Sequence, residues 1–522
     1  MTATGAAARR PGPPGGPPGG PPTGGFPGRK GPDLTIGPIG PTLISFALPV
    51  LGSNILQSLN GSANAVWVSH VLGEAALTAT SNSNQIFFLM LGAVFGVSMA
   101  ANIMIGQAVG ARDEALARRV VGTCTTFFIV LSLLVGIAGG LLTPHILDAM
   151  RTPPAARADA IAYLRVIFAA MPFMYFFSFM MMSQRGTGDS RTPFYFSLLA
   201  VGLDVILNPM LIIGIGPFPK MGIAGSATST LIAQTVTLAV MLVHLYRRRS
   251  ILVVRPSEWR LLIPDFTIIR SLVSKGLPMG FQMMVISLAA VTMMSFVNRY
   301  GIHTSAAYGA AAQLWTYIQM PAMALGAAVS SMAAQNVGAG KMDRVERVAR
   351  IGALYAILFT GVPVLIIYLA DPWVLRAFLP GASPSLPIAV HINSIVIWGF
   401  VPFGVAFIFS GIVRATGAVW PPLLAMIISL WGVRIPMARL LEPHIGADAI
   451  WYAFPVGSSM TCLLAGGYFL WGGWRTSRML EVTPSADAPD TGLGQPMMDE
   501  SEAITDEGIR RQDQARVSIS AE

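Results

Sequence analysis

The six residues GQAVGA, at positions 106–111, recur as AQNVGA at 334–339, an offset of 228 residues. A longer motif, RGTGDSRTP at 185–193, recurs as RATGAVWPP at 414–422, an offset of 229 residues. Two shorter matches with this spacing are centred on Pro49 and Pro278, and on Gln85 and Gln313. Four matches in one order at one spacing indicate that the chain contains two copies of one structural unit.

Both copies consist mainly of long apolar runs. Of the 522 residues, 53% are hydrophobic and only 11% are charged. Soluble domains carry about 25% charged residues, so this chain has too little polar surface to cover a globule in water. A helix of about 20 apolar residues crosses the hydrocarbon core of a bilayer, and its backbone hydrogen bonds are satisfied internally. The predicted class is therefore an all-α integral membrane protein.

Twelve segments are long and apolar enough to form transmembrane helices. We predict two six-helix lobes related by the internal repeat, at 38–247 and 269–474, joined by a cytoplasmic connector at 248–268. The Pro/Gly-rich tail 1–37 and the acidic tail 475–522 are expected to be disordered and cytoplasmic. The predicted spans are 41–68, 79–108, 119–145, 160–184, 193–216, 222–246, 271–298, 305–336, 347–370, 387–412, 420–441 and 448–474.

Lysine and arginine are concentrated in the loops that follow even-numbered spans. Because such loops stay on the cytoplasmic side, we expect a multi-pass protein of the cell (inner) membrane with both termini in the cytoplasm. The net charge of +9 is dispersed among these loops and forms no basic stripe. We therefore expect no nucleic-acid partner, but a monomer that contacts the lipid bilayer and small organic substrates.

Over about 41–474, the sequence resembles the multidrug and toxic compound extrusion (MATE) family of secondary transporters. The matching stretches are GQAVGARD at 106–113, RGTGDSRTP at 185–193, VILNPMLIIG at 205–214, GIAGSA at 222–227 and WGVRIPMARLL at 431–441. The resemblance implies a V-shaped pair of six-helix lobes. It also implies export of organic compounds, usually cationic or amphipathic, driven by an inward flow of protons or sodium ions.

One acidic residue, Asp204, lies well inside a predicted span. It follows Pro193 by about 16 Å of helix at 1.5 Å per residue. A charged Asp at mid-membrane costs roughly 2.5–3.5 kcal/mol, so this side chain must be protonated, paired or in contact with water. A carboxyl that takes up a proton on one side and releases it on the other would couple transport to protons. The alternative is a structural Asp that stays hydrogen-bonded.

Polar residues on neighbouring spans accompany Asp204. Asn208 lies one turn later on the same helix face. The resemblance implies a cation-coupling site in the first lobe, and its positions correspond here to Asn64, Asp204, Asn208 and Ser226, with Thr228 beside them. Where the family has two carboxylates, this chain has one, which favours protons over sodium ions, since sodium would need more oxygen ligands. No cofactor other than the coupling ion is expected.

Polar, methionine and aromatic side chains in spans 1, 2, 7 and 8 predict an amphipathic substrate cleft. The predicted cleft residues are Gln57, Asn60, Asn84, Gln85, Gln282, Met283, Gln313, Trp315 and Tyr317. In span 11, Arg434 is expected to be a structural residue that stabilises the second lobe.

Two other functions compete with cation-coupled export. A flippase for a lipid-linked precursor would need several charges in the cleft to hold a pyrophosphate, and the second lobe has few besides Arg434. An integral-membrane enzyme would need clustered His, Asp or Cys at membrane depth. The histidines form no HxxxH or HExxH pair, so we expect neither a metal centre nor an enzyme.

Overall fold

The computed structural model describes residues 32–480, apart from 73, 150–153, 217, 377–378 and 380–382. Some positions within helices, among them most of the first half of α2, are described for their backbone alone. Nearly all of each tail that was predicted to be disordered lies outside the described residues.

The first copy of the repeat folds into six long helices. They are α1 (Ile39–Leu72), α2 (Glu74–Gly110), α3 (Glu114–Ala149), α4 (Pro154–Gly186), α5 (Arg191–Ile213) and α6 (Ile223–Arg247). A short 3-10 helix, Pro256–Leu262, follows in the predicted connector and packs against α3, where Arg118 forms an ion pair with Glu258 at 2.6 Å.

The second copy has the same order, with two of its six spans interrupted. Its helices are α7 (Phe266–Val297), α8 (Ile302–Gly338), α9 (Met342–Leu369), α10 (Asp371–Leu375), α11 (Ser385–Val396), α12 (Phe400–Thr416), α13 (Trp420–Ile427), α14 (Ile435–Ile445) and α15 (Asp448–Trp471). A 3-10 turn separates α11 from α12, three residues before Pro402, which has no N–H for the carbonyl one turn earlier. A π-helical turn, Ile428–Arg434, separates α13 from α14.

Ten helical stretches of the described chain are long and apolar enough to cross a membrane, and Val94–Gly110 of α2 is a shorter apolar stretch. The remaining predicted span corresponds to α8, which is rich in alanine, glycine and serine and largely buried. Small side chains allow α8 to pack closely against α1, α2, α9 and α12. The predicted all-α class, with twelve spans in two repeated lobes, is confirmed.

The repeated GQAVGA and AQNVGA motifs meet each other where α2 crosses α8. A Cβ atom added to Gly110 would collide with the backbone carbonyl of Gln335, and one added to Gly338 would collide with that of Gln107. The glycine in each motif therefore packs directly on the backbone of the glutamine in the motif of the opposite lobe. The contact lies at the end of the helices that is predicted to face the cytoplasm.

The two glutamines of these motifs also reach across to the second pair of repeated motifs. Gln107 Nε2 donates a hydrogen bond of 2.7 Å to the carbonyl of Ala415, and Gln335 Nε2 donates one of 2.8 Å to the carbonyl of Gly186. Since Gly186 and Ala415 occupy equivalent positions in the repeat, the two bonds are related by its pseudo-symmetry. The repeated motifs thus build the contact that closes one end of the interface between the lobes.

The segment before α1 adds to this closure. It belongs to the first lobe in sequence, yet its backbone carbonyls accept hydrogen bonds from the second. Asn336 donates to Leu34, and Lys341 donates to Thr35, each at 3.0 Å. Leu34 is fully buried beneath this contact. The predicted cytoplasmic end is therefore held shut by both lobes.

Candidate functional site

Asp204 lies in α5, between α1 and α6, and its side chain is 4% exposed. Its Oδ2 accepts a hydrogen bond of 2.9 Å from Asn60 of α1, and its Oδ1 accepts one of 2.6 Å from the Ser229 hydroxyl of α6. The Thr230 hydroxyl lies 3.2–3.3 Å from both oxygens. All these partners are neutral donors, so the carboxyl has hydrogen-bond partners but no counter-charge among them.

A second set of polar contacts lies one helical turn away. Asn208 Nδ2 donates to Asn64 Oδ1 at 2.9 Å, and the Ser226 hydroxyl donates to the same oxygen at 2.6 Å. The pairs Asn60–Asp204 and Asn64–Asn208 repeat at a spacing of four residues on both α1 and α5. These helices therefore face each other with two successive polar contacts, as the i and i+4 geometry requires.

Four of the five predicted coupling residues lie together, and Thr228 is the exception. Asp204, Asn208, Asn64 and Ser226 are brought together, whereas the Thr228 hydroxyl donates to the backbone carbonyl of Ala224 at 2.7 Å and does not join them. Residues two positions apart on a helix point in different directions, so Thr228 does not share the face of α6 that Ser226 occupies. Their roles in coupling stay predictions.

Sequence reasoning missed three members of this cluster: Ser229 and Thr230 of α6, and Tyr163 of α4, whose side chain forms a hydrogen bond with Asn64. Ser229 and Thr230 lie three and four residues after Ser226, on the same face of α6, so helical periodicity could have identified them. Asn60 was predicted to line the substrate cleft, but it donates to Asp204.

The second lobe contains a separate cavity of about 200 Å³ between α7, α8, α12, the π turn and α15. Trp315 of α8 forms part of its wall, with ring centroids 5.9 Å from Phe400 and 6.0 Å from Phe454. Gln282 of α7 is buried next to this cavity, where its Oε1 accepts a hydrogen bond of 2.7 Å from Arg414. Of the predicted cleft residues, Trp315 therefore lines an aromatic cavity inside one lobe, and Gln282 is connected to this cavity through Arg414.

Among the described residues, the other members of the predicted cleft do not lie together at one site. Met283 is half-buried, and its Cβ lies 3.5 Å from the position of a Cβ added to Gly92 of α2. The side chains of Gln57, Gln313 and Tyr317 are exposed. Those of Asn84 and Gln85 lie outside the described residues. Residue type alone did not determine which helix face each side chain occupies.

A chain of hydrogen bonds connects the cavity wall to the predicted external end. Trp315 Nε1 donates to Asn393 Oδ1 at 2.8 Å, and Asn393 Nδ2 donates to Asp371 Oδ1 at 2.7 Å. Asp371 begins the short helix α10, outside the spanning segments, and is 3% exposed. Burial raises its pKa to about 6.

The raised pKa of Asp371 makes thermal stability depend on pH. The folded protein holds this proton more tightly than the unfolded chain does. The contribution of Asp371 to the free energy of unfolding is therefore greatest below about pH 4, falls as the pH rises through about 6, and does not change further above that pH. Asp371→Asn should remove this component. We expect the variant to unfold at a higher temperature than the wild type at pH 7 and at the same temperature at pH 4, measured by differential scanning fluorimetry. A difference that is independent of pH would contradict this explanation.

Comparison with known proteins gives consistent matches. A family model described as MatE matches residues 49–210 and 278–440, one match in each copy of the repeat. A probable multidrug resistance protein of Bacillus subtilis, YoeA, is 36% identical over 440 residues, which cover 84% of this chain and 95% of the relative. The probable multidrug resistance protein NorM of Thermotoga maritima is 26% identical over 449 residues, 84% of this chain and 94% of the relative.

Solved structures share the fold. One described as the outward-facing conformation of a multidrug resistance MATE family transporter superimposes with a TM-score of 0.77 at 20% sequence identity. The superposition covers 85% of this chain and 97% of that one.

Proposed function

Because the chain belongs to the MatE family of multi-pass membrane transporters, we propose that it is a secondary active antiporter that exports amphipathic organic compounds in exchange for protons. The family consists of transporters and not of enzymes. In this scheme Asp204 carries the proton. Exchange takes place as the interface between the lobes opens alternately to one side of the membrane and to the other.

The observation that carries the proton assignment is the position of the Ser229 hydroxyl. Its oxygen lies 2.6 Å from Asp204 Oδ1 and 2.8 Å from the backbone carbonyl oxygen of Ser226. A hydroxyl has one hydrogen to donate, and a carbonyl oxygen can only accept. When Ser229 donates to the backbone, the hydrogen in its contact with Oδ1 must come from a protonated Asp204. When Asp204 is ionised, the same hydroxyl can turn and donate to it.

The cluster is therefore suited to two protonation states with little rearrangement. Rotation of one hydroxyl exchanges one hydrogen-bond pattern for the other, and Thr230 and Asn60 stay within reach in both. A carboxyl at this depth needs such partners, since an unpaired charge in a low-dielectric environment is costly. This arrangement supports Asp204 as the group that takes up and releases the coupling proton.

Sodium is less compatible with the same cluster. A sodium site needs several oxygen ligands around the ion, and the cluster has one carboxylate. The side-chain oxygen of Asn64 already accepts hydrogen bonds from Asn208 and Ser226, which occupy its two lone pairs. A sodium ion would have to break these bonds to use that oxygen.

The coupling ion is tested by driving transport with one gradient at a time. Purified protein is reconstituted into liposomes, and uptake of ethidium, rhodamine 6G and naphthalene-2-sulfonate is followed with either a pH gradient or a sodium gradient. We expect the pH gradient alone to drive accumulation in sodium-free buffer. Accumulation that requires sodium and ignores pH would contradict the proposal.

The charge of the exported compounds is a separate question. The expectation of cationic substrates comes from the family resemblance and stays a prediction, as do the monomeric state and the cytoplasmic termini. A flippase of a lipid-linked precursor stays the alternative. It would fail to protect cells against soluble dyes, whereas the proposed exporter should raise the dye concentration that an efflux-deficient host tolerates.

A further inference from the structure

The coupling scheme makes no use of the cavity inside the second lobe. We propose that this cavity binds an organic anion with an aromatic body, and that Arg414 and Arg434 hold its acidic group. The inference depends on the proposed function only in treating the bound anion as an exported compound. The site lies in the opposite lobe from Asp204, so ligand and proton occupy separate places.

The two arginines that line the cavity are not neutralised by the protein. Arg414 is 3% exposed, and in the described part of the chain neither it nor Arg434 forms an ion pair with a carboxylate. Instead, the Arg414 guanidinium donates to Gln282 and lies 5.4 Å from the centre of the Phe407 ring. That of Arg434 lies beside Tyr308 and 4.6 Å from the centre of the Phe454 ring. Buried positive charge without a counter-charge is costly unless an anion joins it.

The unpaired hydrogen-bonding atoms around these arginines are all donors. Nε of Arg414, Nε of Arg434 and Nε2 of Gln282 are buried without a hydrogen-bond partner. Arginine and amide nitrogens of this kind carry hydrogens and cannot accept. Arg414 and Arg434 line the cavity, so a ligand that pairs with these two residues must present acceptor oxygens, as a carboxylate, sulfonate or phosphate group does.

Most of the rest of the cavity wall is aromatic or aliphatic, and it also includes four uncharged polar side chains, those of Gln319, Ser410, Ser458 and Thr461. The wall includes the rings of Phe400, Phe403 and Trp315, and small alanine side chains of α7, α8 and α12. Offset stacking and edge-to-face contacts on such rings favour an aromatic ligand body. The charged donors and the apolar wall together describe an amphipathic acid.

Local backbone geometry aims Arg434 into this space. The residue ends the π turn Ile428–Arg434, and π turns of this kind often occur at functional sites. Its Cβ lies 3.1 Å from the position of a Cβ added to Gly457 of α15, so the glycine allows close approach of the arginine side chain. The expectation that Arg434 is purely structural does not explain why its Nε has no partner.

The inference is tested by ligand binding in nanodiscs of neutral phosphatidylcholine, without any gradient. Isothermal titration calorimetry compares naphthalene-2-sulfonate with 2-naphthylmethylammonium, which has the same ring system and the opposite charge. We expect the sulfonate to bind and the ammonium compound not to bind. Arg414→Gln and Arg434→Gln should each weaken sulfonate binding about tenfold or more, since each removes a charged hydrogen-bond donor.

Arg185 provides a matched control. It occupies the position equivalent to Arg414 in the first copy of the repeat, is also buried, and does not line this cavity. Arg185→Gln should bind the sulfonate as the wild type does. The cavity variants must elute and melt as folded proteins, and Arg434→Lys, which keeps the charge and loses the planar fork, should fall between wild type and Arg434→Gln.

Several results would overturn the inference. They are an absence of sulfonate binding to the wild type, tighter binding of the ammonium compound, or unchanged affinity in the Arg414→Gln/Arg434→Gln double variant. Nanodiscs with phosphatidylglycerol identify the source of the anion: competition by this lipid indicates a lipid headgroup, and unchanged binding indicates a soluble acid. Asp204→Asn should bind the sulfonate normally, so loss of coupled export in that variant leaves the cavity assignment intact.

Discussion

Asp204→Asn is expected to reduce proton-driven export in liposomes to the rate of vesicles without protein. The amide cannot take up or release a proton, yet its Oδ1 can still accept from Asn60 or Ser229, so the cluster keeps its packing. Folding and insertion should therefore be retained. Transport is measured as dye accumulation after a pH jump, with the variant and the wild type reconstituted at equal protein density.

Asp148→Asn is the matched control for this experiment. Asp148 is an exposed carboxylate near the predicted external end, is paired with Arg157 at 2.8 Å, and is not among the hydrogen-bond partners of the Asp204 cluster. The same chemical change there should leave proton-driven transport at the wild-type rate. Retention of pH-driven accumulation by a well-folded Asp204→Asn protein would exclude the coupling role.

Gly110→Ala and Gly338→Ala are each expected to open the end of the lobe interface that is predicted to face the cytoplasm. The added Cβ would overlap a backbone carbonyl of the opposite lobe, and backbone cannot move aside as a flexible side chain can. Separation of α2 from α8 there would also break the hydrogen bonds of Gln107 and Gln335. We expect strong loss of transport, because the conformation closed at this end becomes inaccessible.

The shift is measured as a distance between spin labels at Ala111 and Asp343, two exposed positions on opposite lobes, in a protein whose native cysteines are replaced by alanine. Double electron–electron resonance should give longer distances for both glycine variants than for the parent. Gly309→Ala, also in α8, adds a Cβ that meets nothing within 4 Å and should leave the distribution unchanged. Unchanged distances in the Gly110 and Gly338 variants would contradict a closing role for this contact.

The helices and their grouping into two lobes were predictable, because both depend on patterns that are visible in the sequence itself. Apolar length determines where a helix can span a bilayer, and the fixed offset between repeated motifs identifies equivalent helices. The interruptions of the tenth and eleventh spans were only partly visible. Pro402 and Pro436 lie in these two spans, and proline within a helix favours a kink, whereas the π turn at Ile428–Arg434 has no comparable signal in the sequence.

The site was less predictable, because its members are defined by helix rotation and not by residue type. Asp204 was identifiable as an isolated acid at membrane depth, and Asn208 followed from i+4 spacing. The contact of Asn60 with Asp204 was not predicted, because polarity alone does not indicate which neighbouring helix a side chain faces. The environment of Arg434 depends on Tyr308 and Phe454, which are distant in sequence and meet it only through tertiary packing.

The central claim, exchange of a substrate for a proton carried by Asp204, is tested most directly by reversing the driving force. A gradient of a transported compound is imposed across liposomes with equal pH on both sides, in sodium-free buffer with the voltage clamped by potassium and valinomycin. Trapped pyranine reports the internal pH as the compound enters. We predict that the lumen becomes alkaline with wild-type protein and stays unchanged with Asp204→Asn. Entry of the compound through the wild type without any pH change, or an equal pH change with the variant, would contradict the claim.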